Sequence, residues 1–258
     1  MPLDIRQEAA RYYDLNPEVP NDLPFYEERI PADDARILEL GCGTGRVLVS
    51  LVEKCGFILG VDSSAAMLSL CRQKLADKGI PASRAAVRQA DITKAQLGER
   101  FDLIIAPFRV FQNLETDAEV SGFFETVRRH LSASGTAIVT AFRPNLDPER
   151  MRREWCTDAE RFAWQVLVEG GRVTLHDRRP RMDRESMVLY PELIYRRYRG
   201  NELVDEAVLR IPMRCYYPDE LLSLAADHGF GVVNKWGGYA GEPYGEGPEL
   251  VIEIAPDG

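Results

Sequence analysis

Residues 36–62, RILELGCGTGRVLVSLVEKCGFILGVD, limit what this chain can fold into more than any other stretch. Ile37, Leu38 and Leu40 make an apolar run short enough for a buried parallel strand. Gly41, Gly43 and Gly45 follow at once, and Val47, Leu48, Leu51, Val52 and Cys55 then recur at helical spacing. Phe57 to Val61 is a second apolar run, closed by Asp62. Strand, glycine loop, helix, strand and acid together describe a nucleoside-binding half of an α/β fold. The glycines let backbone approach a ligand with no Cβ in the way. A carboxylate about 20 residues beyond such a loop, at the end of the second strand, can accept hydrogen bonds from both ribose hydroxyls.

The glycine spacing narrows the nucleoside. A dinucleotide fingerprint needs a third glycine where Arg46 stands, because there the helix packs closely and its N-terminus faces pyrophosphate. No Gly-Lys-Ser or Gly-Lys-Thr follows, so the phosphate loop of nucleotide triphosphatases is absent as well. LELGCGTGR with Asp62 behind it resembles motif I of the class I S-adenosylmethionine-dependent methyltransferases. The resemblance runs on to the Gly135 turn. It implies an α/β fold: a seven-stranded, Rossmann-like, mostly parallel sheet with helices on both faces, plus an inserted antiparallel β lid. It also implies S-adenosylmethionine as cofactor and S-adenosylhomocysteine as product. A non-catalytic nucleoside-binding protein and an NAD-dependent oxidoreductase are the alternatives, the second disfavoured by Arg46.

Four segments follow: a helical cap at 1–35, a cofactor-binding core at 36–145, the lid at 146–214, and the end of the core sheet at 215–258. Residues 3–13 read as a helix with Ile5, Ala9, Tyr12 and Tyr13 on one face. Asn21 or Asp22 is placed to cap a second short helix carrying Leu23, Phe25, Tyr26 and Ile30. Ser63 or Ser64 is placed to cap a helix buried through Met67, Leu70, Cys71 and Leu75, and Thr116 another buried through Val120, Phe123, Phe124, Val127 and Leu131. Residues 144–160 read as a polar connector. The period then changes to two: Phe162, Trp164, Val166 and Val168 alternate, and Gly170-Gly171 is a hairpin turn. Pro218 to His228 reads as a final helix, before two closing strands at the sheet edge.

On the methyltransferase resemblance, the cofactor residues are Tyr13, Tyr26, Glu39, Gly41, Cys42, Gly43, Arg46 and Asp62, with Ala106 and Phe108 at the end of FDLIIA. Ser63 and Met67 line the adenine pocket, Asp91 takes the adenine amino group and Ile92 reads the ring through its backbone. By spacing alone Met67 is also a core residue, and Asp91 also a turn aspartate. Sugar-amine N-methyltransferases carry a Tyr-Asp pair at the active site, which Tyr13-Asp14 matches; Tyr13 is therefore the candidate catalytic phenol, and packing within its helix is the competing role. His176, on a lid strand, is a second catalytic candidate. Phe108, Arg109, Phe111, Arg214, Tyr216 and Tyr244 are candidates for binding substrate. His130 and His228 sit at helix ends, where the dipole suits a cation, and read as structural.

Composition sets the remaining limits. The net charge is −9 and the pI about 5.0, a poor match for a polyphosphate. The segment after FDLIIA also lacks the Asn/Asp-Pro-Pro-Tyr/Phe signature of nucleic-acid and protein-amide methylases. A small-molecule acceptor, methylated on N or O rather than C, is expected, with no nucleic acid partner. No apolar run spans a membrane. Five scattered cysteines lack metal-site spacing and read as reduced, so a cytoplasmic monomer or homodimer without a metal is expected.

Overall fold

Alternation along the buried strands sorts side chains to two faces, and each face acquires its own helices. The structure, a computed structural model, describes residues 6–257. The described residues form α1 (Ala10–Tyr13) and α2 (Leu23–Glu27), then β1 (Arg36–Leu40), α3 (Leu48–Leu51), β2 (Phe57–Asp62), α4 (Ala65–Asp77), β3 (Ala85–Gln89) and β4 (Phe101–Ala106). A 3-10 turn at Val110–Asn113 precedes α5 (Asp117–His130) and β5 (Leu131–Phe142). After α6 (Pro148–Glu154) come β6 (Thr157–Val168), β7 (Gly171–Asp183), β8 (Val188–Arg199), β9 (Glu202–Arg210) and β10 (Met213–Arg214). The chain closes with α7 (Pro218–Asp227), β11 (Phe230–Trp236) and β12 (Glu249–Pro256).

The main sheet has seven strands in the order β11-β12-β5-β4-β1-β2-β3. All its pairings are parallel except β12 with its two neighbours. Leu38, Leu40, Leu59, Val61 and Ile104 pack on one face with α5 and α7; Ile37, Ile58, Leu103 and Ile105 pack on the other with α2, α3 and α4. The reversal of strand order between β1 and β4 places the ligand crevice beyond their carboxyl ends.

The caps form where the side chains permit. Ser64 Oγ accepts from Met67 N at 3.2 Å, and Thr116 and Glu119 make a full capping box on α5. Leu68, two residues before the expected Leu70, completes the α4 stripe. Asp22 precedes α2 without capping it, because Arg46 takes its carboxylate instead. The first helix is confined to Ala10–Tyr13, and Ile5 lies outside the described residues.

The second sheet is a meander, β6-β7-β8 with β9 and β10 both paired to β8. Two expectations fail here. Residues 144–160 are not a plain connector: Asp147 caps α6, whose Met151 joins Trp155, Met182, Met187 and Leu189 in a separate apolar cluster. The alternation along β6 breaks as well. A bulge between Phe162 and Trp164 sets Phe162 opposite His176 and Trp164 opposite Leu175, so Phe162 is exposed while Trp164 is buried.

Candidate functional site

The glycine loop takes its shape from left-handed backbone. Gly41, Gly43 and Gly45 have φ of 75°, 52° and 82°. Gly41 and Cys42 donate to the Val61 carbonyl at 2.7 and 3.0 Å, tying the loop to β2. The Asp62 carboxylate fastens it again, accepting from Gly43 N at 2.9 Å and from Ser64 N at 2.8 Å. The three glycines differ in what surrounds them. A Cβ on Gly41 would meet Val110 Cγ2 at 2.2 Å and one on Gly45 would meet Cys71 Sγ at 2.4 Å, whereas one on Gly43 would meet nothing within 4 Å. Gly41 and Gly45 are glycine for packing; Gly43 faces open space.

That space is a cavity of about 640 Å³ between the carboxyl ends of the strands and the antiparallel sheet. Gly41, Gly43, Asp62 and Met67 line its core end. Tyr13, Phe108 and Arg109 also face it, as do Leu175, Leu193, Tyr195 and Leu209 from the antiparallel sheet. A smaller recess of about 40 Å³ lies beside the loop and is lined by Tyr13, Glu39, Cys42 and Arg46 among others. Glu39 is 2% exposed; its Oε2 has no hydrogen-bond partner, and burial pushes its carboxyl well above the usual range. Burial likewise raises the phenols of Tyr13 and Tyr195, keeping both neutral.

Phe108 and Arg109 have φ of 53° and 66°, left-handed values that non-glycine residues seldom adopt. The turn is pinned from several sides. Arg109 N donates to Thr140 Oγ1 at 3.2 Å, and its guanidinium pairs with buried Glu249 at 2.5 Å. The buried Gln112 side chain joins the Arg214 carbonyl to Phe142 N.

Of the candidates, Tyr13, Glu39, Gly41, Cys42, Gly43, Arg46, Asp62, Met67, Phe108 and Arg109 thus meet at one place. The others stand elsewhere. His176 alternates with the cavity-lining Leu175 and Asp177, so it lies on the opposite sheet face against Phe162. Phe111 and Tyr216 are fully buried and pack on each other at 5.1 Å in the core beneath α5. Arg214 pairs with Asp117, and the Tyr244 hydroxyl bonds the Pro218 carbonyl. Tyr26 is buried against Phe25 and Tyr239, and Ala106 against the core. Ser63 is exposed, and Ile92 packs at the core margin. The Asp91 carboxylate accepts from Thr93 N and Oγ1, the turn arrangement. His130 is structural: its Nδ1 bonds the Thr126 carbonyl and its Nε2 accepts from Leu97 N.

The lid's arginines alternate with acids in the sequence and read there as a mixed-charge surface, yet part of that charge lines the cavity. Asp177 lies between Arg161 at 2.9 Å and Arg179 at 3.1 Å, and all three line the cavity with Trp155. The i, i+2 spacing of Asp177 and Arg179 was the available signal for a shared strand face.

Residues 37–135 match the family described as a methyltransferase domain. A dTDP-3-amino-3,6-dideoxy-alpha-D-glucopyranose N,N-dimethyltransferase from Streptomyces fradiae is 28% identical over 118 residues, 46% of this chain and 44% of that protein. N-methyltransferase FrzE from Cladobotryum sp is 31% identical over 146 residues, 48% of this chain and 50% of that protein. The chain spans about half the length of the curated relatives it matches. Among solved structures, the CcbJ methyltransferase from Streptomyces caelestis superposes with a TM-score of 0.78 at 20% identity, over 99% of this chain and 98% of that one. An S-adenosylmethionine-dependent methyltransferase from Clostridium acetobutylicum also reaches 0.78, at 16% identity over 97% and 98%. The seven-stranded sheet, its glycine loop and these likenesses together give the chain the fold of the class I S-adenosylmethionine-dependent methyltransferases, with a methyltransferase domain at residues 37–135.

Proposed function

We propose that this protein transfers a methyl group from S-adenosylmethionine to a nitrogen of a small-molecule acceptor held under the antiparallel lid. The observation that carries the reading is the cavity of about 640 Å³, with Gly43 and Asp62 at one end and the lid strands over the other. The residues present fit the cofactor. Gly43 leaves room for it, and the lone pairs of Asp62 not used by backbone suit ribose hydroxyls. The unpartnered Glu39 oxygen beside the recess suits the ammonium of a methionine moiety, whose charge would restore the ionised form that burial opposes.

A bound sulfonium supplies a methyl carbon that moves by in-line displacement. The protein's part is alignment, which can contribute roughly 7–11 kcal/mol of barrier lowering. The lid excludes water, and the neutral Tyr13 phenol orients the acceptor lone pair. An amine that arrives neutral already carries its lone pair and needs no general base; Asp177 is the lid carboxylate that lines the cavity. Nitrogen is preferred because the amino-sugar relative and FrzE are named as N-methylating enzymes. The free cysteines suit a reducing, cytoplasmic compartment.

Calorimetry with S-adenosylmethionine against NAD tests the cofactor, and S-adenosylhomocysteine release across a panel of amines and matched alcohols tests the acceptor. Binding of NAD but not of S-adenosylmethionine would overturn the reading. Gly43→Val is expected to weaken cofactor binding by about 100-fold, roughly 3 kcal/mol, because its methyls enter the cavity. In a thermal melt Gly45→Val should lose more than Gly43→Val, because both strain a left-handed backbone but only Gly45→Val also collides with Cys71. Tyr13→Phe is expected to lower turnover by the equivalent of about 0.5–1.5 kcal/mol while circular dichroism stays unchanged. Unchanged turnover would remove the phenol from the site.

A further inference from the structure

Tyr13 stands on a helix of four residues, far too short to hold its own shape in water. Its place over the cavity is therefore set by its neighbours. Tyr12 faces the lid: its ring stacks on Tyr195 at 5.7 Å and 15°, and its hydroxyl donates to Asp205, which also pairs with Arg11 at 2.8 Å. Asp14 faces the other way. Its Oδ1 accepts from Thr44 Oγ1 at 2.6 Å, its Oδ2 meets Lys74 Nζ at 2.7 Å, and Lys74 closes the triangle with a 3.0 Å bond to Thr44 Oγ1. Thr44 is 1% exposed and sits between Gly43 and Gly45, inside the loop that Asp62 fastens. Three consecutive residues thus touch the lid, the cavity and the glycine loop.

We infer that Asp14 is a positioning residue: its carboxylate locks the Tyr13 helix to the glycine loop, so that the phenol is set in place by the segment that carries the cofactor. This rests on the methyltransferase reading given above. The bland alternative is a surface ion pair. Asp14 and Lys74 are both about one-third or more exposed, and such pairs add little to stability. The two roles therefore separate: a surface pair leaves the helix where it is when removed, and a positioning clasp does not.

Hydrogen exchange on the full chain, with S-adenosylhomocysteine as the probe, tests this. In the parent, the probe is expected to slow exchange at residues 10–16 about tenfold or more, along with residues 41–46 and 62–67. In Asp14→Ala, protection of 41–46 and 62–67 and an affinity for the probe within about threefold of the parent should persist, while 10–16 exchange as in the free protein. Asp14→Asn keeps an oxygen for the Thr44 hydroxyl and should restore much of the protection; Lys74→Met should lose part of it. If Asp14→Ala still protects 10–16, or loses probe affinity in step with that protection, the inference is overturned while the cofactor reading stands. If the parent itself does not bind the probe, the cofactor reading falls and the inference with it.

Discussion

Asp62→Ala is expected to lower the affinity for S-adenosylmethionine by about 2–4 kcal/mol, because two hydrogen bonds from ribose hydroxyls to a charged acceptor are lost. The structure adds a second consequence. Asp62 also holds the backbone N–H groups of Gly43 and Ser64; the Ser64 bond is buried, so that donor loses its acceptor away from water. Each buried donor left unpaired costs about 1–3 kcal/mol, so the free protein should be less stable too. Asp62→Asn retains one carbonyl oxygen and separates the two effects: it should recover part of the stability and less of the affinity. Calorimetry and urea denaturation together check this. Parent-like cofactor binding by Asp62→Ala would mean that the site lies elsewhere.

The second large effect lies at Arg46. Its guanidinium forks onto both oxygens of Asp22, at 2.5 and 2.7 Å, and Asp22 is fully buried. Arg46→Met removes the cation and leaves a carboxylate sealed from water. Breaking a buried pair from one side typically costs about 3–5 kcal/mol, and a loss of that order is expected in urea unfolding. Arg46→Met combined with Asp22→Asn should be more stable than Arg46→Met alone, since a neutral amide replaces the stranded charge. An additive double variant would show that the two residues do not interact. Because Arg46 also lines the recess beside the glycine loop, the single variant should weaken cofactor binding as well.

Arg46 also shows how far the sequence could be read. Its position in the glycine pattern was enough to disfavour a pyrophosphate, since that argument needs only local spacing. Its partner stands 24 positions upstream, at the start of a different helix, and no spacing rule connects the two. The strands of the core were legible because burial on both faces leaves continuous apolar runs, as in FDLIIA. The lid strands were legible as strands, but not by face. One bulge beside Phe162 shifts the β6 register, and with it the alternation that had seemed to run unbroken to Val168. His176 was misplaced for the same reason: an alternating strand shows that two faces exist, not which one looks inward. Phe111 and Tyr216 follow strand ends, where ligands gather, yet the left-handed turn at Phe108 and Arg109 and the 3-10 turn after it carry Phe111 into the core. Asp14 was noticed only as the neighbour of Tyr13 in a Tyr-Asp pattern, because its contacts, Thr44 and Lys74, come from two other elements.

The strand order also dictates a sequence of events during synthesis. The meander from β6 to β9 pairs each strand with the one made just before it, so its ladders can close while the chain is still being extended. β5 must wait. Its second neighbour is β12, which joins Val139 to Ile252 and is made more than a hundred residues later. Until then Ile138 and Val139 border an open strand edge, the kind of surface on which two unfinished copies can pair wrongly. A chain that stops before Glu249 would keep that edge for good. β12 therefore does more than extend the sheet: it covers an adhesive edge that β5 presents until β12 is made.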